Sequence, residues 1–286
     1  MRPIETVGII SKPGIDHASE IVSGLLAWLG ERGIKARCDI ETARYAGLDD
    51  GLSREEVPKG TQLLIVLGGD GTLLSAARAL NGLEIPVFPV NLGGLGFLTA
   101  ITLDELYPQL ERALRGEQRI VPRRMLKCDL FRGGELIATY QALNDVVLAK
   151  TEIARMLDLQ THVDDHFVLT FKADGLIICT PTGSTAYSLS AGGPIIFPAV
   201  AAICITPICP HMLTNRPVVV PDTSTIQVVT LAEDDDTYLT VDGQVGRHLK
   251  QNDKIVCQSS GSVALVRPPK MMFFDVLRQK LKWGER

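Results

Sequence analysis

The period of apolar and polar positions along this chain changes near residue 120. Before that point, short continuous apolar runs, Thr6-Val7-Gly8-Ile9-Ile10, Leu63-Leu64-Ile65-Val66-Leu67 and Val87-Phe88-Pro89-Val90, alternate with stretches of helical spacing. Ile21, Val22, Leu25, Leu26 and Leu29 fall on one helical face before Gly33, and another strand is expected near Lys35-Ala36-Arg37-Cys38-Asp39. Thr102 and Glu105 have the spacing of a capping box ahead of a helix that carries Leu106, Leu110 and Leu114 and ends near Gly116. Such alternation predicts an α/β domain built on a mostly parallel sheet, which binds ligands beyond the carboxyl ends of its strands.

From about Ile120 onward the runs are short, β-rich and separated by turn residues, so a β-rich second domain is expected. Residues 157–163 and 166–172 flank Asp164-Asp165 as a hairpin with an acidic tip, and Asp242-Gly243-Gln244 reads as a second hairpin turn. Helical periodicity returns only in the last segment, Phe273 to Trp283.

Composition narrows the classes of function. With 286 residues, 45% of them apolar, the chain can bury substantial cores. A net charge of −4 argues against broad binding to nucleic acid or to an anionic membrane, each of which usually needs a basic surface. No apolar run approaches the ~20 residues that span a bilayer, and Met1-Arg2-Pro3-Ile4-Glu5 leads into a strand without a signal-like apolar region, so the cytoplasm is the expected location. The six cysteines lack the paired spacing of a zinc or redox site and read as buried thiols. Cys204, Cys209 and His211 sit in a proline-broken apolar run, His162 and His166 in a hairpin, and Glu233 to Asp236 in a solvated loop; no metal site is expected from them.

The chemistry concentrates at Gly68-Gly69-Asp70-Gly71-Thr72, between an apolar strand and the helical stretch Leu73 to Leu80. Glycines at a buried strand end allow a tight turn, and the free N–H groups opening the next helix attract anions. A carboxylate in that position is costly beside phosphates unless it takes a proton from an attacking hydroxyl or faces a cation, and both uses mean phosphoryl transfer. No Gly-Lys-Ser/Thr follows, and the third glycine and acidic residue of a hydride-transfer fingerprint are absent, with Leu74 and Asn91 near those places. The bland alternative is a strand-to-helix turn in which Asp70 is a helix cap. A second glycine turn, Asn91-Leu92-Gly93-Gly94-Leu95-Gly96-Phe97, weighs against it, because two strand ends are then stripped of side chains. Further on, Asn144-Asp145 offers donor and acceptor for a ribose or an adenine edge, although alone it is equally a turn. Asp174-Gly175 alone is a hairpin dipeptide. Six hydroxyl side chains between Thr182 and Ser190 exceed what capping requires and fit a surface that binds a polar ligand.

In order and spacing, the two glycine turns, Asn144-Asp145, Ala173-Asp174-Gly175, Thr180-Pro181-Thr182-Gly183-Ser184-Thr185-Ala186-Tyr187-Ser188 and Asn215-Arg216-Pro217 resemble the bacterial NAD kinase family almost end to end. The first motif is shared with diacylglycerol, sphingoid and 6-phosphofructo-kinases; the long Thr-Pro-Thr-Gly run is the specific part. The resemblance implies ATP-dependent phosphorylation of the 2′-hydroxyl of the adenosine ribose of NAD to give NADP, with Asp70 as general base and Mg²⁺ accompanying ATP. It implies NAD contacts from Asp70, Gly71, Asn144, Asp145, Arg155, Lys172, Asp174, Thr185, Ala186, Tyr187, Ser188, Leu189, Ser190 and Gln244. Where many members carry Asn-Glu, this chain carries Asn144-Asp145, one methylene shorter with the charge kept. Phosphates would be held by Gly68, Gly69, Gly71, Thr72, Gly93, Gly94 and Gly96. The implied domains are 1–118, α/β and nucleotide-binding; 119–265, β-rich and dinucleotide-binding; and 266–286, a segment whose helix packs on the first domain. A homodimer or homotetramer is also implied, and the apolar run 198–205 could serve a core or an interface. Two alternatives stay open: a lipid kinase of the same superfamily, against which the polar 185–190 run speaks, and a dinucleotide sensor without catalysis.

Overall fold

The computed structural model of this chain describes residues 4–15, 17–94, 96–151, 155–233, 236–268 and 272–283. Leu95 of the second glycine turn and Asp234 and Asp235 of the acidic loop lie outside the described residues. Two compact units divide the chain: residues 1–122 together with 263–286, and residues 123–262.

The first unit runs through β1 (Thr6–Ser11), α1 (Ala18–Gly30), β2 (Lys35–Cys38), α2 (Ile40–Ala46), β3 (Leu63–Gly68), α3 (Asp70–Leu80), β4 (Val87–Asn91), β5 (Ile101–Thr102) and α4 (Leu106–Leu114). Its strands pair in parallel in the order β2, β1, β3, β4, β5. A parallel strand covered on both faces is apolar at nearly every position, and β3 and β4 are buried along their whole length. Val22, Leu25 and Leu29 of α1, one turn apart, close on Val7, Ile9, Ile65, Leu67, Phe88 and Val90 in one core. Gly68 at the end of β3 lies in register with Asn91 at the end of β4, so the two glycine turns leave the sheet side by side.

Two local features differ from the periodicity argument. α2 was not legible in it; Asp39 Oδ1 caps that helix by accepting the Thr42 N–H at 2.9 Å, and Gly47 ends it with a φ of 69°. The Thr102–Glu105 box is only half formed. Glu105 Oε2 accepts the Thr102 N–H at 3.2 Å, but the Thr102 hydroxyl also donates to that carboxylate at 3.2 Å, and the Glu105 N–H turns to the Thr102 carbonyl. The chain makes a turn at 103–105 before α4 starts, which draws the Thr102 side chain away from a capping position.

The second unit is built from most of β6 (Arg119–Arg132), β7 (Glu135–Ala142), β8 (Asp145–Lys150), β9 (Leu157–Val163), β10 (His166–Ala173), β11 (Gly175–Cys179), α5 (Tyr187–Ser190), β12 (Ala202–Ile208), β13 (Val218–Pro221), β14 (Ile226–Thr230), β15 (Thr237–Val241), β16 (Val245–Leu249) and the greater part of β17 (Lys254–Arg267), whose end belongs to the first unit. Six strands form an antiparallel sheet in the order β13, β12, β11, β8, β15, β16. Antiparallel pairs β10–β9, β9–β14 and β14–β17, with the β6–β7 hairpin, make the other layer. Alternate residues of both layers, among them Leu126, Phe171, Ile178, Ile205, Val228 and Leu239, form a single core. The runs are not all short: β6 and β17 each extend over 14 residues.

The acidic hairpin forms as expected, with Asp164 and Asp165 at φ of 50° and 65°, the left-handed pair that a two-residue turn requires. Asp174-Gly175 forms no hairpin. β10 and β11 belong to different sheets, and the pair is the crossing point, where a Cβ at Gly175 would lie 2.4 Å from the Leu148 carbonyl oxygen. Of the apolar run 198–205, the part from Ala202 is β12, buried inside the six-stranded sheet, while residues 199–201 are exposed. The chain then returns to the first unit: Leu265 pairs with Val87, and α6 (Phe273–Leu281) buries Val276 and Leu277. No helix among the described residues is long and apolar enough to cross a membrane.

Candidate active site

Asp70 is the first residue of α3, yet its carboxylate does not cap that helix; Gly69 occupies the cap position without a side-chain bond. The carboxylate reaches instead to the chain after β4. Oδ2 accepts the Phe97 N–H at 2.8 Å, and Oδ1 accepts the Leu98 N–H at 3.1 Å and both the N–H and the hydroxyl of Thr99 at 3.0 Å. Gly96 makes this approach possible, because a Cβ there would lie 2.1 Å from Asp70 Oδ1. Arg267, buried at the end of β17, donates to the Phe97 carbonyl at 2.8 Å. Burial pushes its guanidinium down to about 10 against the opposing pull of the Asp70 charge. Asn91 holds the second turn from its base, accepting the Gly93 N–H at 2.8 Å and donating to the Gly94 carbonyl at 2.9 Å.

The glycines of the two turns separate into two kinds. At Gly68 a Cβ would lie 2.4 Å from Thr72 Oγ1, so Gly68, like Gly96, is required by its neighbours. At Gly69 and Gly94 a Cβ would meet nothing within 4 Å, and at Gly93 only Asn91 Oδ1 at 3.9 Å; none of the three has a positive φ. Neither packing among the described residues nor backbone conformation asks for glycine there. All three line a cavity of about 400 Å³ with Lys12, Gly14, Ile15, Gly68, Asn91 and Leu92. Asp70, Gly71, Thr72 and Gly96 do not line it, and the Thr72 side chain is buried against Gly68.

In the second unit, the hairpin turn after β15 supplies a carboxylate that organises Asn144-Asp145. Asp242 Oδ1 accepts the N–H groups of Asn144 at 2.8 Å and Asp145 at 3.2 Å, and Oδ2 that of Leu143 at 3.2 Å. From the other side the Thr180–Thr185 turn is laced onto the same segment. Thr180 donates its N–H to the Asn144 carbonyl at 2.9 Å and its hydroxyl to the Leu143 carbonyl at 2.6 Å. Gly183 passes so close that a Cβ would lie 2.1 Å from the Asn144 carbonyl oxygen. A cavity of about 360 Å³ brings together Asn144, Asp145, Ala186 and Tyr187 with Val147, Thr240, Asp242 and Gly243. Burial, and then the Asp242 charge, push the Asp145 carboxyl up to about 7.

The hydroxyl-rich run serves the fold more than its composition suggested. Ser184 donates to the Pro181 carbonyl at 2.7 Å and accepts the Ile196 N–H, Thr185 donates to the Thr182 carbonyl, and the buried Ser188 hydroxyl pairs with Thr206 at 2.9 Å. Thr182 Oγ1 is buried with no partner among the described residues, while Tyr187 and Ser190 are exposed and Leu189 is half-buried. None of these bonds caps α5, which is only four residues long; those of Ser184 and Thr185 close tight turns. Asp174 pairs with Lys150 at 2.8 Å, and Lys172 approaches Asp158 at 3.9 Å on the neighbouring strand. Arg155 and Gln244 are exposed, and these four residues lie outside the second cavity.

Five cysteines are buried and free, and Cys209 is exposed; among the described residues no cluster of three metal-ligating side chains occurs. Sequence reasoning passed over Lys12, Arg267 and the anchoring role of Asp242. Asp242 had a signal in its Asp-Gly-Gln turn, and Lys12 in its place directly after an apolar strand. Arg267 had none, because only the fold carries the end of β17 to Phe97.

Comparison with known proteins identifies the family of the chain. The profile of the ATP-NAD kinase N-terminal domain matches residues 7–118, and that of the ATP-NAD kinase C-terminal domain matches residues 143–267. The NAD kinase of Solibacter usitatus is 64% identical over 100% of both chains, and that of Koribacter versatilis 48% identical over 99% of this chain and 100% of its own. Among solved structures, yeast NADH kinase complexed with NADH superposes with a TM-score of 0.93 at 26% identity, covering 100% of this chain and 89% of its own. An Archaeoglobus fulgidus NAD kinase in complex with ATP shares the fold, with a TM-score of 0.76 at 23% identity over 97% of this chain and 98% of its own. The chain belongs to the NAD kinase family, and its activity is that of an NAD kinase.

Proposed function

We propose that Asp70 is the general base that takes the proton of the 2′-hydroxyl on the adenosine ribose of NAD while the γ-phosphoryl group of ATP is transferred to that oxygen, giving NADP and ADP. A carboxylate has about four acceptor positions. Oδ1 of Asp70 already receives three hydrogen bonds and Oδ2 only one, so Oδ2 is the oxygen with capacity for a proton. The four bonds fix its direction, and a base held in place contributes through proton transfer and alignment without a covalent intermediate.

The donor phosphates are assigned to the backbone of the two glycine turns. The single observation that carries this assignment is that Gly69, Gly93 and Gly94 line an open cavity although no contact among the described residues requires them to be glycine. Such positions admit a ligand to the backbone, at the start of a helix whose first N–H groups favour anions. ATP enters with Mg²⁺ as its counter-ion, a substrate species that neutralises developing charge.

For NAD, the cavity around Asn144, Asp145 and Tyr187 supports contacts to the adenosine portion, with the Asn144 amide and the Asp145 carboxyl as paired donor and acceptor. Gly71, Arg155, Lys172, Asp174, Thr185, Ala186, Ser188, Leu189, Ser190 and Gln244 belong to the same assignment by resemblance. A cytoplasmic homo-oligomer is the proposed working form. Free cysteines suit a reducing compartment, and Leu213, Val218 and Val219 leave apolar surface exposed near the β13 edge.

The deciding experiment incubates the pure protein with ATP, Mg²⁺ and either NAD or its 2′-deoxyadenosine analogue. NADP and ADP should form in equal amounts from NAD and neither from the analogue. Turnover of the 2′-deoxy analogue at a rate near that of NAD would put the transfer on another oxygen and overturn the role assigned to Asp70.

A further inference from the structure

We propose that Lys12, delivered by the end of β1, is the cation that receives the phosphate chain of ATP at the glycine turns. The proposal rests on the reading of the 400 Å³ cavity as the donor site. Phosphate-binding turns of the strand–glycine–helix kind commonly carry a lysine within the turn itself. Here the turn has Asp70-Gly71-Thr72 in that stretch and no lysine. The topology supplies one from the adjacent strand.

β1 pairs in parallel with β3, with Ser11 opposite Leu67, and the Lys12 N–H extends the ladder by one step to the Leu67 carbonyl at 2.8 Å. Lys12 therefore stands beside Gly68, close enough that a Cβ at that glycine would lie 3.0 Å from Lys12 Cβ. Its backbone is held from the other side as well, because the Tyr45 hydroxyl donates to the Lys12 carbonyl at 3.0 Å. The residue is exposed, and no carboxylate among the described residues ion-pairs with its ammonium. Of the residues lining the cavity, Lys12 is the charged one; the rest are glycines, Asn91, Ile15 and Leu92. A cavity walled by bare backbone and a single lysine is suited to a polyanion: the amides orient the phosphate oxygens, and the ammonium is a mobile point charge that can follow them.

The test compares the parent with Lys12→Met, Lys12→Arg and Gly94→Val by calorimetric titration with MgATP and by steady-state kinetics with each substrate varied. Lys12→Met should raise the Kd and KM for ATP about 10–100-fold, as loss of a charge-assisted contact does, with the KM for NAD within about twofold of the parent. Lys12→Arg should recover most of the ATP affinity, and thermal midpoints should stay unchanged because the side chain packs on solvent. Gly94→Val puts a side chain into open space and should block ATP without disturbing the fold. If Lys12→Met binds ATP like the parent while Gly94→Val does not, the lysine proposal fails and the donor site stands. Unchanged ATP binding in both would remove the donor site and the proposal together. Equal losses in Lys12→Met and Lys12→Arg, with lowered midpoints, would assign Lys12 to the fold and overturn the proposal.

Discussion

The Asp242 carboxylate binds the backbone N–H of Asn144 at 2.8 Å, across 98 residues of sequence. One side chain in a hairpin turn thereby orients three consecutive amides and sets the direction in which the Asn144 and Asp145 side chains leave the backbone. Its charge is also felt by Asp145.

Asp242→Asn should lower stability by about 2–4 kcal/mol, because one amide oxygen cannot accept three N–H groups and the hydrogen bonds lose their charge. Urea unfolding measures that loss. A carbon-detected titration of the Asp145 carboxyl should show its pKa reduced but still above the ordinary value, since burial is the larger cause of the shift. A full return to the ordinary carboxylate range would mean that the Asp242 charge, and not burial, dominates.

Asp145 makes stability depend on pH. Below its ordinary value of 3.8 the folded and unfolded chains both hold the proton; between 3.8 and about 7 only the folded chain does. Stability contributed by Asp145 therefore falls as pH rises through that window and is lost above about pH 7, by about 4 kcal/mol at most. Chemical denaturation at pH 5 and pH 8 should show this decline in the parent and a flatter response in Asp145→Asn, which has no carboxyl to ionise. Parallel responses in the two proteins would count against a buried protonated Asp145.

Asp70→Asn should reduce kcat by about 10²–10⁴-fold with a smaller change in the KM for NAD. The structure adds a cost in stability. Whichever way the amide is turned, its NH₂ group faces a backbone N–H of Phe97 or of Leu98 and Thr99, donor against donor, for about 1–3 kcal/mol. A variant with parental kcat and a lowered thermal midpoint would leave Asp70 as a brace for the 96–99 turn and take it out of proton transfer.

Gly183→Ala and Gly69→Ala should part company. The first drives a methyl group into the Asn144 carbonyl and should destabilise the protein by about 1–3 kcal/mol while weakening NAD binding. The second meets open space and should change stability by less than about 1 kcal/mol while weakening ATP binding. Thermal melts and separate titrations with NAD and ATP distinguish them; comparable loss of stability in both would contradict the division of glycines into packed and open kinds.

Local order alone accounts for much of this protein. Short continuous apolar runs bounded by turn residues match strands covered on both faces, the spacing of Val22, Leu25 and Leu29 matches a helical face, and the two glycine turns follow strand ends by their place in the sequence. Side-chain partners were not legible in the same way. Asp70 finds its donors at Phe97, Leu98 and Thr99; Arg267 reaches Phe97 across 170 residues; Lys12 meets Gly68 only because β1 and β3 are neighbours. The hydroxyls of Ser184 and Thr185 bond to carbonyls three residues back, and that of Ser188 to Thr206 on β12, partners that composition did not indicate. Periodicity reports which face of an element is dry, a property of one segment. Hydrogen-bond partners depend on which segments meet, and that is decided by strand order and by the few ångströms of backbone approach at Gly68, Gly96 and Gly183.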